Sequence, residues 1–262
     1  MVERHGECPV CLVSGPLTTE DWIPQWVRNT IIEDAPWPDQ QPPRTVTWIC
    51  STCNHRLGRV FEDKAARVMR PMFTVGELVL PMKDQRLVAG WIVKTNLVRA
   101  IATDHGRKQI VAGRDNLRLW LEWMLATGNP PPNTSVRVGC FDPSVLRNGE
   151  DLPENEMDAA DFGIPAPYYD AFSFSCISHL YGLLWETVIG GLASVEPLID
   201  ATKGDRRLIR LWPQDGSELT WPPDVLLPRR AHPQLCAAWK HSPDMYDSGW
   251  ARPEAAVPPG AA

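Results

Sequence analysis

Four cysteines occur in two CxxC pairs, and this pattern points more directly to metal chemistry than any other in the chain. Cys8 and Cys11 form the first pair, and Cys50 and Cys53 form the second. Two such pairs, brought together, supply the four thiolates of a closed tetrahedral Zn²⁺ site. The alternatives are a thiol-disulfide redox motif and ordinary buried cysteines. The spacing favours a structural zinc site.

A second group of residues has the chemistry of a catalytic metal site. Glu20 and Asp21 lie between the cysteine pairs, and Asn54 and His55 directly follow the second pair. Carboxylate and amide oxygens ligate Mg²⁺ or Mn²⁺, and a carboxylate or an imidazole can deprotonate water. We therefore take Glu20, Asp21, Asn54 and His55 as candidate catalytic residues. The alternative is that the two acids only cap a helix that begins at Thr19.

The order of these motifs resembles the HNH endonuclease superfamily in its four-cysteine, treble-clef form. The resemblance covers about residues 5 to 70 and includes the segment Thr-Glu-Asp-Trp-Ile-Pro at 19–24, Asn54 after the last cysteine, and Glu62. It implies that Glu20 and Asn54 ligate a catalytic Mg²⁺ or Mn²⁺ for hydrolysis of DNA. The family's usual base, a histidine, is replaced here by Asp21. A carboxylate is a weaker base than an imidazole, so the activity implied is weak or lost.

Basic residues are concentrated just after the second cysteine pair. On a regular helix, at about 100° per residue, five cations would fall within an arc of about 140°. We predict that this arc contacts nucleic-acid phosphates; the alternative is a solvated face on which Asp63 bridges Arg59 and Arg67. The net charge of the chain is −6, so any such contact must be local. The five are Arg56, Arg59, Lys64, Arg67 and Arg70.

Composition and periodicity predict an α+β protein in which a zinc module precedes a larger region. We assign residues 1–74 to the HNH-like zinc module, 75–252 to an α+β domain of unknown role, and 253–262 to a disordered tail. Within the module the pattern predicts a helix from Thr19, a proline-rich loop over 33–44, a strand over 45–49 and a helix over 54–69 that ends before Pro71.

The second region is predicted to alternate between strands and helices. Six tryptophans lie in apolar patterns and are assigned to the core: Trp91, Trp120, Trp123, Trp185, Trp212 and Trp221. Helices are expected over 88–103, 115–125 and 233–242. Strands are expected over 76–81, 135–141, 207–212 and 218–221 and within 171–189, with an acidic loop over 148–167.

Three functions follow from these features. The leading one is an HNH-like nuclease acting on DNA. The second is a catalytically inactive, zinc-dependent module that binds nucleic acid or protein, and the third is an interaction protein whose acidic loop meets a partner. The odd number of cysteines, 7, and the absence of a signal-like stretch predict a reducing, cytoplasmic location. The chain has no apolar run of about 18 residues or more, so no membrane span is expected.

Overall fold

The computed structural model describes residues 4–21, 24–34, 46–74, 76–104, 111–141, 168–169, 174–180, 183–189 and 208–227. Helices and strands are mixed along the chain, and the α+β prediction is confirmed. The elements up to residue 73 are β1 (Arg4–Glu7), β2 (Ser14–Asp21), α1 (Gln25–Asp34), β3 (Val46–Cys50), α2 (Ser51–Leu57), a π-helical turn (Gly58–Glu62) and α3 (Asp63–Phe73).

The second part of the chain adds two long helices and seven strands to the described structure. They are β4 (Leu78–Leu80), α4 (Met82–Asp104), α5 (Val111–Thr127), β5 (Thr134–Cys140), β6 (Tyr168–Tyr169), β7 (Phe174–Leu180), β8 (Leu183–Ile189), β9 (Ile209–Trp212) and β10 (Leu219–Trp221). Among the helices described, none is both long and apolar enough to cross a membrane.

The strands form three antiparallel sheets. The first has the order β1-β2-β3, the second pairs β10 with β4, and the third has the order β6-β7-β8-β5-β9. In the first sheet Leu17 lies opposite both Arg4 and Cys50, so β2 is the central strand. This pairing brings the loop after β1 close to the end of β3, where the two cysteine pairs are found.

Helix α4 is the centre of the hydrophobic core. It contacts β3, α3 and the π-helical turn, and it also contacts β5, β8 and β9 of the five-stranded sheet. Trp91 of this helix lies 5.8 Å from Trp26 and 6.2 Å from Trp185, ring centre to ring centre. Since the same helix packs against both parts of the chain, the domain boundary at residue 74 stays a prediction.

The predicted helix start at Thr19 is wrong, because Thr19 lies within strand β2 and helix α1 begins at Gln25. The capping pattern at Thr18 to Asp21 reflects local sequence only and does not determine the conformation of this segment. The β-branched threonines instead pair with β3, where Thr19 lies opposite Trp48 and Glu20 lies opposite Thr47. Cross-strand pairing with β3 thus outweighs the local capping preference.

The helical segment after the second cysteine pair is longer than predicted. It begins at Ser51 and continues to Phe73, so Pro71 lies inside α3 rather than beyond its end. Proline lacks the N–H that would bond the carbonyl of Arg67, but only two helical residues, Met72 and Phe73, follow it. The amide of Gly76 donates to the carbonyl of Pro71 at 2.7 Å and closes this end of the helix.

Most other predicted elements are confirmed within the described residues. They are the strands at 45–49, 76–81, 135–141, 207–212 and 218–221, the strands within 171–189, and the helices at 88–103 and 115–125. Residues 35–44 of the predicted loop, the acidic loop, the helix at 233–242 and the tail lie outside the described residues. Trp123 is 45% exposed, which corrects its assignment to the core, whereas Trp91, Trp185 and Trp221 are buried.

Candidate metal centre and buried ion cluster

The first cysteine pair lies in a tight turn between β1 and β2. The amide of Leu12 donates to the carbonyl of Cys8 at 2.8 Å, and the amide of Cys8 donates to the carbonyl of Val13 at 3.0 Å. Leu12 itself has a positive φ of 60°. That left-handed residue reverses the chain just after Cys11, which directs both thiols of the pair toward the sheet.

The second pair spans the junction of β3 and α2. Cys50 is the N-cap of α2, and its sulfur accepts a hydrogen bond from the amide of Cys53 at 3.4 Å. The sulfur of Cys8 accepts from the amide of Cys50, also at 3.4 Å. Backbone N–H groups thus point at two of the four sulfurs, those of Cys50 and Cys8.

The four sulfur atoms form one compact cluster. Those of Cys8, Cys11, Cys50 and Cys53 all lie within 4.8 Å of one another. The sulfurs of Cys11 and Cys50 are 3.7 Å apart. A tetrahedron with zinc–sulfur bonds of about 2.3 Å has edges of about 3.8 Å. The cluster is therefore compatible with a structural metal such as zinc, as the CxxC spacing predicts.

The surroundings shift the thiol pKa values in different directions. Burial raises the pKa of Cys53, and the neighbouring sulfurs of Cys50, Cys8 and Cys11 raise it further. Burial also acts to raise the pKa of Cys8, but hydrogen bonds from backbone N–H groups outweigh it, and the net pKa is lowered. Four crowded thiolates repel one another, so a bound dication would stabilise all of them together.

Glu20, the first predicted catalytic ligand, is buried and paired with a lysine. Only 8% of Glu20 is exposed, and its Oε1 accepts a hydrogen bond from the ammonium of Lys94 at 2.8 Å. The same ammonium donates to Oε1 of Glu62. We call these three residues the buried ion cluster. It joins β2, the π-helical turn and helix α4.

Lys94 is held in its charged form. Burial acts to lower the pKa of Lys94, but the carboxylates of Glu62 and Glu20 raise it by more, and the net pKa lies above its ordinary value. Lys94 therefore cannot act as a base at neutral pH. The π-helical turn reaches α4 closely because Gly90, one helical turn before Lys94, has no side chain; a Cβ there would lie 3.3 Å from the ring of Phe61.

The other predicted catalytic residues differ from Glu20 in their surroundings. Asn54 Nδ2 donates to Thr18 Oγ1 at 3.2 Å and to the carbonyl of Thr19 at 3.3 Å, so it holds α2 against the strand that carries Glu20. His55 is exposed on α2. Asp21 is the last residue of β2, where it lies opposite Val46 of β3.

The predicted nucleic-acid contacts share one helical segment. All five are exposed, and none forms a salt bridge with a described acidic residue, Asp63 included. We call them the basic face: Arg56, Arg59, Lys64, Arg67 and Arg70. The bridging of Arg59 and Arg67 by Asp63, the alternative interpretation, is not found in this part of the structure.

Lys94 was not among the predicted site residues, although the sequence holds a signal for it. It is the sole charged residue between Arg86 and Arg99, in a mostly apolar helical stretch. A charge in such a position must be paired when the helix is buried. Its partners, however, lie on β2 and the π-helical turn, and no sequence pattern predicts that these elements contact Lys94.

Comparison with known proteins adds no relative to this description. No protein-family model, no curated protein and no solved structure matches the chain. The conclusions below therefore rest on the residues and their geometry.

Proposed function

We propose that residues 4–74 form a zinc-stabilised module that binds nucleic acid through its phosphate backbone. The observation that supports this function is the basic face, whose five exposed cations lack acidic partners in the described structure. Such cations bind phosphate oxygens and release counterions from nucleic acid. The zinc cluster anchors the start of the same helical segment and makes it rigid.

The charge of this segment contrasts with that of the whole chain. Between Ser51 and Phe73 there are five Lys and Arg residues and two acids, Glu62 and Asp63. Glu62 is paired with Lys94, so the exposed remainder is five positive charges and one negative charge, a formal sum of +4. The whole chain carries −6. A local positive surface on an acidic protein favours one defined contact with phosphate over general coating of nucleic acid.

Removing three cations from the basic face is expected to weaken binding and its dependence on salt. We expect Arg56→Ala, Arg59→Ala and Arg67→Ala together to lower affinity for a short DNA duplex by more than about tenfold at low salt. The slope of log K against log salt should fall by about 2.7, at about 0.9 per phosphate contact. Fluorescence anisotropy over a salt series measures both quantities.

The matched control removes the same charge elsewhere. Lys83, Arg86 and Arg210 are exposed and lie on α4 and β9. Changing these three to alanine should leave the salt slope near that of the unmodified protein. Equal losses of affinity in the two triple variants would mean that only net charge affects binding. An unchanged salt slope in the first variant would mean that the basic face is solvated and does not contact phosphate.

Metal-dependent hydrolysis of DNA at Glu20, Asp21, Asn54 and His55 is the second candidate. It is favoured by the convergence of two carboxylates, Glu20 and Glu62, on a single cation. We rank it second because that cation is Lys94, which leaves Glu20 paired before any Mg²⁺ or Mn²⁺ arrives. For this site to act as a nuclease, Lys94 would have to move away from the carboxylates of Glu20 and Glu62 during turnover.

Plasmid nicking separates the two candidates. The binding module predicts no conversion of supercoiled plasmid with Mg²⁺ or Mn²⁺ beyond that of a Glu20→Gln, Asn54→Ala double variant. Nicking that depends on the divalent ion and disappears in the double variant would instead establish the nuclease. Zinc-saturated protein should be used in both arms, so that the cysteine cluster does not take up the added ion.

A further inference from the structure

The sheet formed by β1, β2 and β3 carries a tryptophan on the face that is turned away from the core. On β3, Ile49 is buried in the hydrophobic core, and helix α4 contacts this strand. Trp48 lies on the opposite face, because consecutive residues of a strand alternate between the two faces of a sheet. Trp48 is half-buried and is not among the residues that pack against the core of the described structure.

Arg4 lies on the same face as Trp48 and is stacked on its ring. The guanidinium carbon of Arg4 is 5.5 Å from the centre of the ring, which is within the range of a cation–π contact. The two residues belong to β1 and β3, so their side chains meet across the central strand, β2. Arg4 is exposed and forms no salt bridge with a described acidic residue.

Small residues leave open space beside this pair. Gly6 of β1 lies opposite Gly15 of β2, so neither strand has a side chain at that position. A Cβ at Gly15 would have no atom within 4 Å. Further along β2, Thr19 lies opposite Trp48 and is exposed. We call this surface the outer face of the first sheet, and its residues are Arg4, Gly6, Gly15, Thr19 and Trp48.

We propose that the outer face binds an unpaired nucleobase by stacking it on Trp48, so that the ligand is a single-stranded nucleic acid. The inference rests on the proposed function, because the basic face supplies the phosphate contacts. Strand β3 continues directly into α2, so Trp48 and Arg56 belong to one continuous segment. Every base has a π face that can stack on an aromatic ring. In a duplex those faces are covered by the neighbouring base pairs.

Arg4 explains why a nucleic acid fits this face better than an acidic protein does. A cation–π contact at an exposed site is weaker than the stacking of a base on an aromatic ring. A base can therefore displace the guanidinium from the ring of Trp48, and the released cation can pair with a phosphate of the same strand. An acidic peptide would gain the second contact but would have no base to place on the ring.

An oligothymidine of about eight nucleotides and an abasic strand of equal length test the proposal. The two strands carry the same phosphates, and only the first carries bases. We expect the zinc-saturated, unmodified protein to bind the oligothymidine at least about tenfold more tightly than the abasic strand, as measured by fluorescence anisotropy. Trp48→Leu should bind both strands equally, because leucine is apolar but has no ring. Trp48→Phe keeps a ring and should retain a preference of at least about threefold.

The matched control is Trp123→Leu, which removes another exposed tryptophan ring. Trp123 lies on α5 and is 45% exposed, so this variant should keep the full preference for the oligothymidine. Zinc content and melting temperature show whether each variant is folded. If Trp48→Leu does not fold, Trp48→Phe and the unmodified protein decide. Equal binding of both strands by the unmodified protein, or a full preference in folded Trp48→Leu, would overturn the proposal.

The same measurements separate this inference from the proposed function. The triple variant of the basic face should bind both strands more weakly but keep the ratio between their affinities. Binding that depends on the basic face and does not distinguish the two strands would overturn base stacking alone. A preference for the oligothymidine in a triple variant of unchanged affinity would instead overturn the role of the basic face. Failure to bind either strand or the duplex would overturn both.

Discussion

Replacing Cys50 with serine is expected to release the structural metal and unfold the N-terminal module. Cys50 contributes one of four clustered sulfurs and also caps helix α2. Binding of structural zinc contributes about 10–16 kcal/mol, which is as large as the whole stability of an ordinary domain. We therefore expect Cys50→Ser protein to contain no zinc and to be cleaved rapidly by protease within residues 4–74.

Metal analysis, limited proteolysis and thermal unfolding with a chelator measure this effect. Cys140→Ala is the matched control, because Cys140 is a buried cysteine outside the cluster. It should keep one zinc per chain and show only a modest loss of stability. Purified protein without zinc, combined with a melting temperature that chelation leaves unchanged, would rule out a structural metal.

Replacing Lys94 with methionine is expected to cost about 3–5 kcal/mol of unfolding free energy. Removal of one partner from a buried ion pair is strongly destabilising, and here two carboxylates would lose the ammonium that donates to both of them. The side-chain volume is nearly kept, so cavity formation contributes little. Urea unfolding, analysed for each variant at neutral pH and without divalent ions, measures the difference.

Two comparisons assign that loss to the charge. Arg118 pairs with Glu122 at 2.7 Å on the exposed side of α5, and Arg118→Met should cost less than about 1 kcal/mol. Combining Lys94→Met with Glu20→Gln and Glu62→Gln removes all three charges and should restore most of the lost stability. A triple variant no more stable than Lys94→Met alone would show that packing, rather than charge, governs this position.

Local sequence was sufficient to predict those features that depend only on residues close together along the chain. The CxxC steps predicted the metal cluster. Each pair forms within one turn of the chain, and two such pairs supply the four ligands of one tetrahedral metal site. Apolar periodicity predicted α4, α5 and most strands. The cations of the basic face could be found in the same way, because they recur along one helical segment.

Tertiary structure decided the conformation around Glu20 and the environment of its carboxylate. Thr18 to Asp21 reads locally as a helix cap, yet pairing with β3 makes it a strand, because the cross-strand contacts outweigh a capping preference. Lys94 is 74 residues from Glu20 and 32 from Glu62 along the chain. No local pattern encodes their contact, since it arises only when α4 packs against the sheet and the π-helical turn. The sequence by itself therefore predicted the cysteine cluster and the run of cations that follows it, whereas packing determined that Glu20 is paired with an ammonium group.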